Sequence, residues 1–182
     1  MRSVKELIGK PVVAVDTGDR IGTVSDALLE DEAGRGSLSI VGLVIGGGLL
    51  AQEHVMPFRD VQTIGGDTIL ARSHAGMVGA REWRESGVRS TRVSLLKGRP
   101  VVSTTGQRLG ELSDLLIDEQ TGTFSALEVA ASDLGGLRTR RSLLQPVTDV
   151  RIGPDAVLVP ESAMHSGTRQ AEEGALHPRH EP

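Results

Sequence analysis

The chain has 182 residues and a net charge of -4 at pH 7, with 38% hydrophobic, 24% charged and 2% aromatic residues. This balance gives no general attraction for phosphate backbones or anionic lipid. The absence of Cys excludes disulfides, thiolate metal sites, iron–sulfur clusters and thiol nucleophiles. Leu, Val, Ile and Phe supply about 27% of the residues, above the roughly 20% below which a chain stays disordered, so folding is expected. No apolar run approaches the ~18 residues of a membrane span, and Met1 to Glu6 lacks the apolar core of a signal segment. A cytoplasmic location is the expectation.

In chain order, Ser3-Val4-Lys5-Glu6 has capping-box spacing and Gly9 sits where a helix would be capped, which predicts one or two helical turns. Pro11 to Val15 reads as a strand, Asp16 to Asp19 as its turn, and Arg20 to Leu29 as the second arm with a bulge near Gly22. A third strand is predicted over Leu38 to Ile45. Val55-Met56 and Val61 to Ile64 flank a corner at Pro57, and the turn at Gly65-Gly66-Asp67 leads into a last strand, Thr68 to Ala71. Ser73 to Ser90 holds the only Trp, Trp83, and reads as a connection with one helical stretch that docks this ring on the folded part.

The same series then begins again. Gly9-Lys10-Pro11-Val12-Val13 recurs as Gly98-Arg99-Pro100-Val101-Val102, and Gly18 to Leu28 recurs as Gly106 to Leu116 with one residue fewer between the blocks. Pro57 to Val61 matches Pro146 to Val150, and Ile64 to Leu70 matches Ile152 to Leu158. Ser125 to Ala130 answers the third strand. Preserved order across these blocks identifies a duplication. The expected organisation is copy one over 1–75, a linker over 76–90, copy two over 91–160, and a disordered tail over 161–182, where apolar residues become sparse.

The residues Leu7 to Val13, Gly18-x-Arg20-Ile21-Gly22-x-Val24-x-Asp26, Gly42 to Ile45, Met56-Pro57-Phe58-x-Asp60-Val61 and Ile64-Gly65-x-Asp67 resemble the PRC-barrel domain. The second half is similar at Gly98 to Val102, Gly106 to Asp114, Pro146 to Val150 and Ile152 to Asp155. The resemblance implies an all-β fold of two tandem small barrels, about six strands each, joined by a short helical linker. It also implies relatives that act by docking: the cytoplasmic part of the photosynthetic reaction-centre H subunit, the C-terminal domain of the ribosome-maturation factor RimM, and small stand-alone bacterial and archaeal proteins. No catalytic residues come with it, and motifs of this kind specify fold better than function.

Candidate sites are few. Gly46-Gly47-Gly48 reads as a flexible connection that could meet a partner, since no Gly-Lys-Ser or Gly-Lys-Thr follows to make a phosphate loop. The repeated Ser25-Asp26 and Ser113-Asp114 supply one carboxylate per copy, too few oxygens for Mg²⁺ or Ca²⁺, and are expected to hydrogen-bond within each barrel. Asp60 and Asp149 are expected to brace corners with their side chains, and Asp67 and Asp155 to occupy equivalent turns. Arg138, Arg140 and Arg141 form the dense basic patch, suited to an acidic partner or phosphate. His177 and His180 lack further ligands at zinc spacing, and no Ser/His/Asp arrangement is evident. No metal or cofactor is expected.

The leading expectation is a non-enzymatic adaptor or scaffold module that binds a protein through strand edges and unequal loops. The partner is unidentified; a homodimer, or pairing of the two barrels within the chain, would use the same surfaces. A ribosome- or RNA-associated factor using the arginines is one alternative, although nucleic acid is disfavoured by charge and by the scarcity of aromatics. A small-molecule regulator using a cleft between the copies is another.

Overall fold

The structure, a computed structural model, describes residues 1–30, 38–46, 52–132, 139–145 and 149–165. The chain opens on β1 (Arg2–Ser3) and then builds six strands: β2 (Pro11–Ala14), β3 (Arg20–Glu30), β4 (Ile40–Gly46), β5 (His54–Pro57), β6 (Val61–Ile64) and β7 (Ile69–Ala71). They form a sheet in the order β6-β7-β2-β3-β4-β5, with β2 and β7 parallel. The second copy repeats this series as β10 (Pro100–Ser103), β11 (Arg108–Ile117), β12 (Phe124–Ser132), β13 (Thr139–Leu144), β14 (Arg151–Ile152) and β15 (Val157–Val159). Its order, β14-β15-β10-β11-β12-β13, is the same.

Sequence explains the match in detail. Val12 and Ala14 in β2, and Val101 and Ser103 in β10, point inward while their neighbours are half-exposed, the two-residue alternation of a sheet with one buried face. Register shifts fall at the same places in both copies, between Val12 and Val13 and between Val101 and Val102, which puts the expected bulge on β3 and β11 at Ile21 and Leu109, next to Gly22 and Gly110. Glycine is required there. A Cβ on Gly22 would lie 2.6 Å from Ile45 Cγ2, and one on Gly110 would lie 2.5 Å from the Ala130 carbonyl oxygen.

Between the copies, β8 (Val78–Gly79) pairs with β5, α1 (Ala80–Glu85) follows, and β9 (Ser90–Arg92) begins the second unit. Trp83 docks as expected. It is only 9% exposed, packs on Leu28, Val44 and Val55, and donates from Nε1 to Ser90 Oγ at 3.2 Å. The stretch from Ser73 to Ser90 is therefore part of the first sheet's covering.

Two expectations are corrected. Residues 4 to 9 form hydrogen-bonded turns, not a helix: Glu6 N–H and Leu7 N–H reach the Ser3 and Val4 carbonyls, and Ser3 Oγ accepts from Glu6 N–H. The segment is pulled straight at its start because β1 is taken up by the other copy's sheet. At the far end, Glu161–His165 forms a 3-10 turn in which Ala163 is fully buried; residues 166–182 lie outside the described residues. No helix among the described residues is long and apolar enough to cross a membrane.

Candidate functional site: an open strand edge beside the seam between copies

The two copies exchange their leading strands. β1 pairs with β11, with Arg2 opposite Ile117 and Ser3 opposite Leu116, while β9 pairs with β3, with Thr91 opposite Leu29 and Arg92 opposite Leu28. These are equivalent contacts seen from opposite sides. A third reciprocal contact lies between them: Ile40 N–H donates to the Gly122 carbonyl, Phe124 N–H to the Leu38 carbonyl, and Ser39 bridges Thr123. Strand registers make Ile40 the counterpart of Phe124, and hence Ser39 that of Thr123. The seam is an isologous interface around a pseudo-twofold axis. Buried residues of both copies form one continuous core across it.

The repeated Ser-Asp pairs belong to this seam. Register shifts between Val24 and Asp26, and between Leu112 and Asp114, make Ser25 and Ser113 the bulged residues. Just after each bulge the Asp side chain accepts from the amide of the following residue, Ala27 N–H to Asp26 Oδ1 and Leu115 N–H to Asp114 Oδ1, both at 2.8 Å. The remaining bonds cross the seam, which corrects the expectation that these carboxylates act within their own barrels. Asp26, 4% exposed, accepts from Ser94 N–H at 3.2 Å and Ser94 Oγ at 2.5 Å. Asp114 accepts from Lys5 N–H at 3.2 Å and from Ser3 Oγ. Ion pairs flank both sides: Arg2 with Glu119 at 2.9 Å, and Arg92 with Glu53 at 2.5 Å. The hydrogen bonds from these guanidinium groups hold Glu119 and Glu53 below the ordinary carboxylate range, against the smaller opposing effect of burial.

The copies differ most at the edge beyond this seam. In the first copy the β5 edge is occupied by β8, with His54 opposite Gly79 and Val55 opposite Val78, and Trp83 covers Leu28, Val44 and Val55. In the second copy the counterpart of β5 is β13, which ends its sheet with no strand beyond it among the described residues. Register makes Leu116, Glu128 and Leu143 the counterparts of Leu28, Val44 and Val55. These three line an open groove with Arg141 and the first copy's Ser3 and Lys5. Thr139, Arg140 and Arg141 on β13 are exposed. Arg141 lies 3.8 Å from Glu128, itself held by Ser113 Oγ at 2.8 Å, and Arg140 has no ion-pair partner among the described residues.

Other predicted residues have plainer places. Gly46 ends β4 in register with Thr23, while Gly47, Gly48 and Arg138 lie outside the described residues. Asp67 and Asp155 sit in equivalent turns closed by Gly65 N–H to Thr68 O and Gly153 N–H to Ala156 O. Lys10 and its counterpart Arg99 donate to the Gly65 and Gly153 carbonyls. Asp60 and Asp149 sit at the two corners expected of them, but with different backbones. The first corner is closed by main chain, Val61 N–H to Phe58 O and Arg72 N–H to Asp60 O. Asp149 instead adopts φ 66°, the one positive φ at a described residue other than glycine; a short polar side chain is among the few that tolerate it. Among the described residues no group of three His, Asp or Glu is placed to hold a metal.

Sequence reasoning missed the seam residues Ser3, Ser94, Glu53 and Glu119. The signal available was their asymmetry: a copy of Ser3 should fall at Arg92, yet the hydroxyl returns at Ser94. No curated protein matches the chain. The PRC-barrel domain model matches residues 1–78 and again residues 90–164, so the chain belongs to the PRC-barrel family and carries two copies of its domain.

Proposed function

We propose that the protein is a docking module whose second barrel receives an extended acidic segment of a partner protein along β13. PRC-barrel domains are protein-interaction modules, and the family is generally non-enzymatic. The observation that carries the reading is the contrast between the two edges: the first copy's β5 already holds β8 and the Trp83 ring, whereas β13 and the groove of Leu116 and Leu143 hold neither. An edge strand presents unpaired N–H and C=O groups to an incoming strand, and alternate side chains of that strand then set specificity. On the groove face an acidic residue would meet Arg141 and an apolar one Leu143, while on the opposite face a second acidic residue would meet Arg140. Guanidinium groups suit bidentate contact with carboxylates.

The test is a labelled extended peptide with a Glu-Glu pair flanked by Val and Thr, titrated beside its Lys-Lys counterpart. The Glu peptide binds, weakens with added salt and slows hydrogen exchange at Thr139–Leu144. The variant R140E/R141E reverses the preference. Equal binding of both peptides, or protection elsewhere, defeats the reading, and salt-sensitive RNA binding lost in the same variant would replace it with a nucleic-acid role.

A further inference from the structure

A cavity of about 230 Å³ lies at the seam, and its walls come from both copies. Val4, Val93, Leu112 and Leu115 make the apolar part, and the Ser-Asp pairs stand at its sides. The carboxylates are already engaged: Asp26 and Asp114 each accept three donors, as described above. Free charge enters through two lysines, Lys5 and Lys97, which line the cavity and have no ion-pair or hydrogen-bond partner for their ammonium groups among the described residues. The chain has only three lysines against 17 arginines; the third, Lys10, is spent on the Gly65 carbonyl.

Both lysines are departures from the repeat. Lys5 corresponds to Ser94, since both backbone amides reach the Asp of the other copy. Lys97 precedes Gly98 as Ile8 precedes Gly9. One cation from each copy therefore stands on a wall whose other charges are the Asp26 and Asp114 carboxylates, each already accepting three neutral donors. Long lysine stems line apolar surface while their ammonium groups stay at the wet mouth.

We infer that this cavity binds a small carboxylate with an apolar body, such as an aryl acid or short acyl acid, its anion at the mouth between Lys5 and Lys97. An apolar cavity of about 150 Å³ accommodates benzene, so the present one suits roughly nine heavy atoms. Such a ligand would touch Val4 and Lys5 of one leading segment and Val93 and Lys97 of the other. It would bind only while the two segments remain exchanged.

The experiment titrates the full chain with benzoate, benzyl alcohol and benzylamine, three probes of nearly the same size and different charge. Methyl signals of Val4, Val93 and Leu115 locate the binding. Benzoate is expected to bind at least about tenfold tighter than either control, because the two lysine ammonium groups have no partner among the described residues while the Asp26 and Asp114 carboxylates that benzylamine would need already accept three donors each. The K5Q/K97Q variant, checked for an unchanged melting temperature, is expected to lose that preference and still bind benzyl alcohol. V93F, which fills the cavity, is expected to lose all three. Equal binding of the three probes, methyl shifts elsewhere, or full benzoate affinity in a folded K5Q/K97Q variant would overturn the assignment.

Discussion

Ser39 and Thr123 hold the same position in the two repeats, and they face each other in an antiparallel bridge. A residue meets its own counterpart only on a twofold axis, so the chain behaves as an isologous dimer whose subunits are joined covalently. The joining raises the effective concentration of one copy at the other. It also lets the halves diverge while the interface keeps its symmetry.

Gly122 tests the packing at that axis. Its φ is +71°, and an added Cβ would lie 2.8 Å from the Phe58 ring and 2.9 Å from the Ile40 carbonyl oxygen. Gly106 has a similar φ of +87° with open space around the Cβ position. Gly106→Ala should cost about 1 to 2 kcal/mol from backbone strain alone. Gly122→Ala should cost at least about 1 kcal/mol more, because overpacking adds to the strain. Urea unfolding midpoints compare the two; equal losses would mean that Phe58 does not press on Gly122.

Asp26 and Ser94 should be energetically coupled. Asp26→Ala strands the buried Ala27 amide and the partly buried Ser94 amide, at about 2 kcal/mol by the usual cost of unsatisfied donors. Ser94→Ala removes only the hydroxyl bond. In the double variant the second loss should shrink, giving a coupling of about 1 kcal/mol in a double-mutant cycle, as expected for groups in direct contact. Strict additivity would show that the hydroxyl bond is not formed in solution.

What could be read in advance was whatever each copy decides locally. Alternating Val12 and Ala14, the turn at Gly18 and the bulge at Gly22 carry their own instructions, and twin blocks state them twice; the single Trp83 carries its own as well. The seam is different. Whether Arg2 and Ser3 lie on their own sheet or on β11 depends on two surfaces meeting, and neither outcome changes the local pattern. Asp26 therefore read as an internal hydrogen-bonding residue. Asp60 and Asp149 share a position in the repeat, yet one corner is closed by main chain and the other uses a left-handed residue. Identical letters did not guarantee identical backbone conformations.

Acid should weaken the contact between copies. Arg2 holds the Glu119 carboxyl, and Arg92 the Glu53 carboxyl, below the ordinary range. A carboxylate with a lowered folded pKa stabilises fully above its unfolded value, about 4.3 for Glu, and loses that contribution as pH falls through the lower folded value. The seam should be constant in strength from neutral pH down to about pH 5 and loosen below about pH 4 by this linkage. Hydrogen exchange at Arg2, Ser3, Thr91 and Arg92 as a function of pH measures it. Replacing both glutamates by Gln should flatten the acid dependence at these strands.

Removing Trp83 should convert the closed edge of the first copy into an open one. The ring covers Leu28, Val44 and Val55, and truncation to Ala costs about 3 to 5 kcal/mol for a buried aromatic of this size. The loss should fall on α1 and β8, which have little other covering, while β13 and the second sheet keep their protection. Because the exposed seat would be apolar, it should bind a hydrophobic dye and promote self-association instead of attracting the acidic peptide proposed for β13. Sedimentation and dye fluorescence distinguish these outcomes. A W83A variant that gains affinity for the acidic peptide would show that the open edge alone attracts partners and that the arginines contribute nothing. A variant that stays monomeric and dye-free would show that the β8–α1 segment holds its place without the ring.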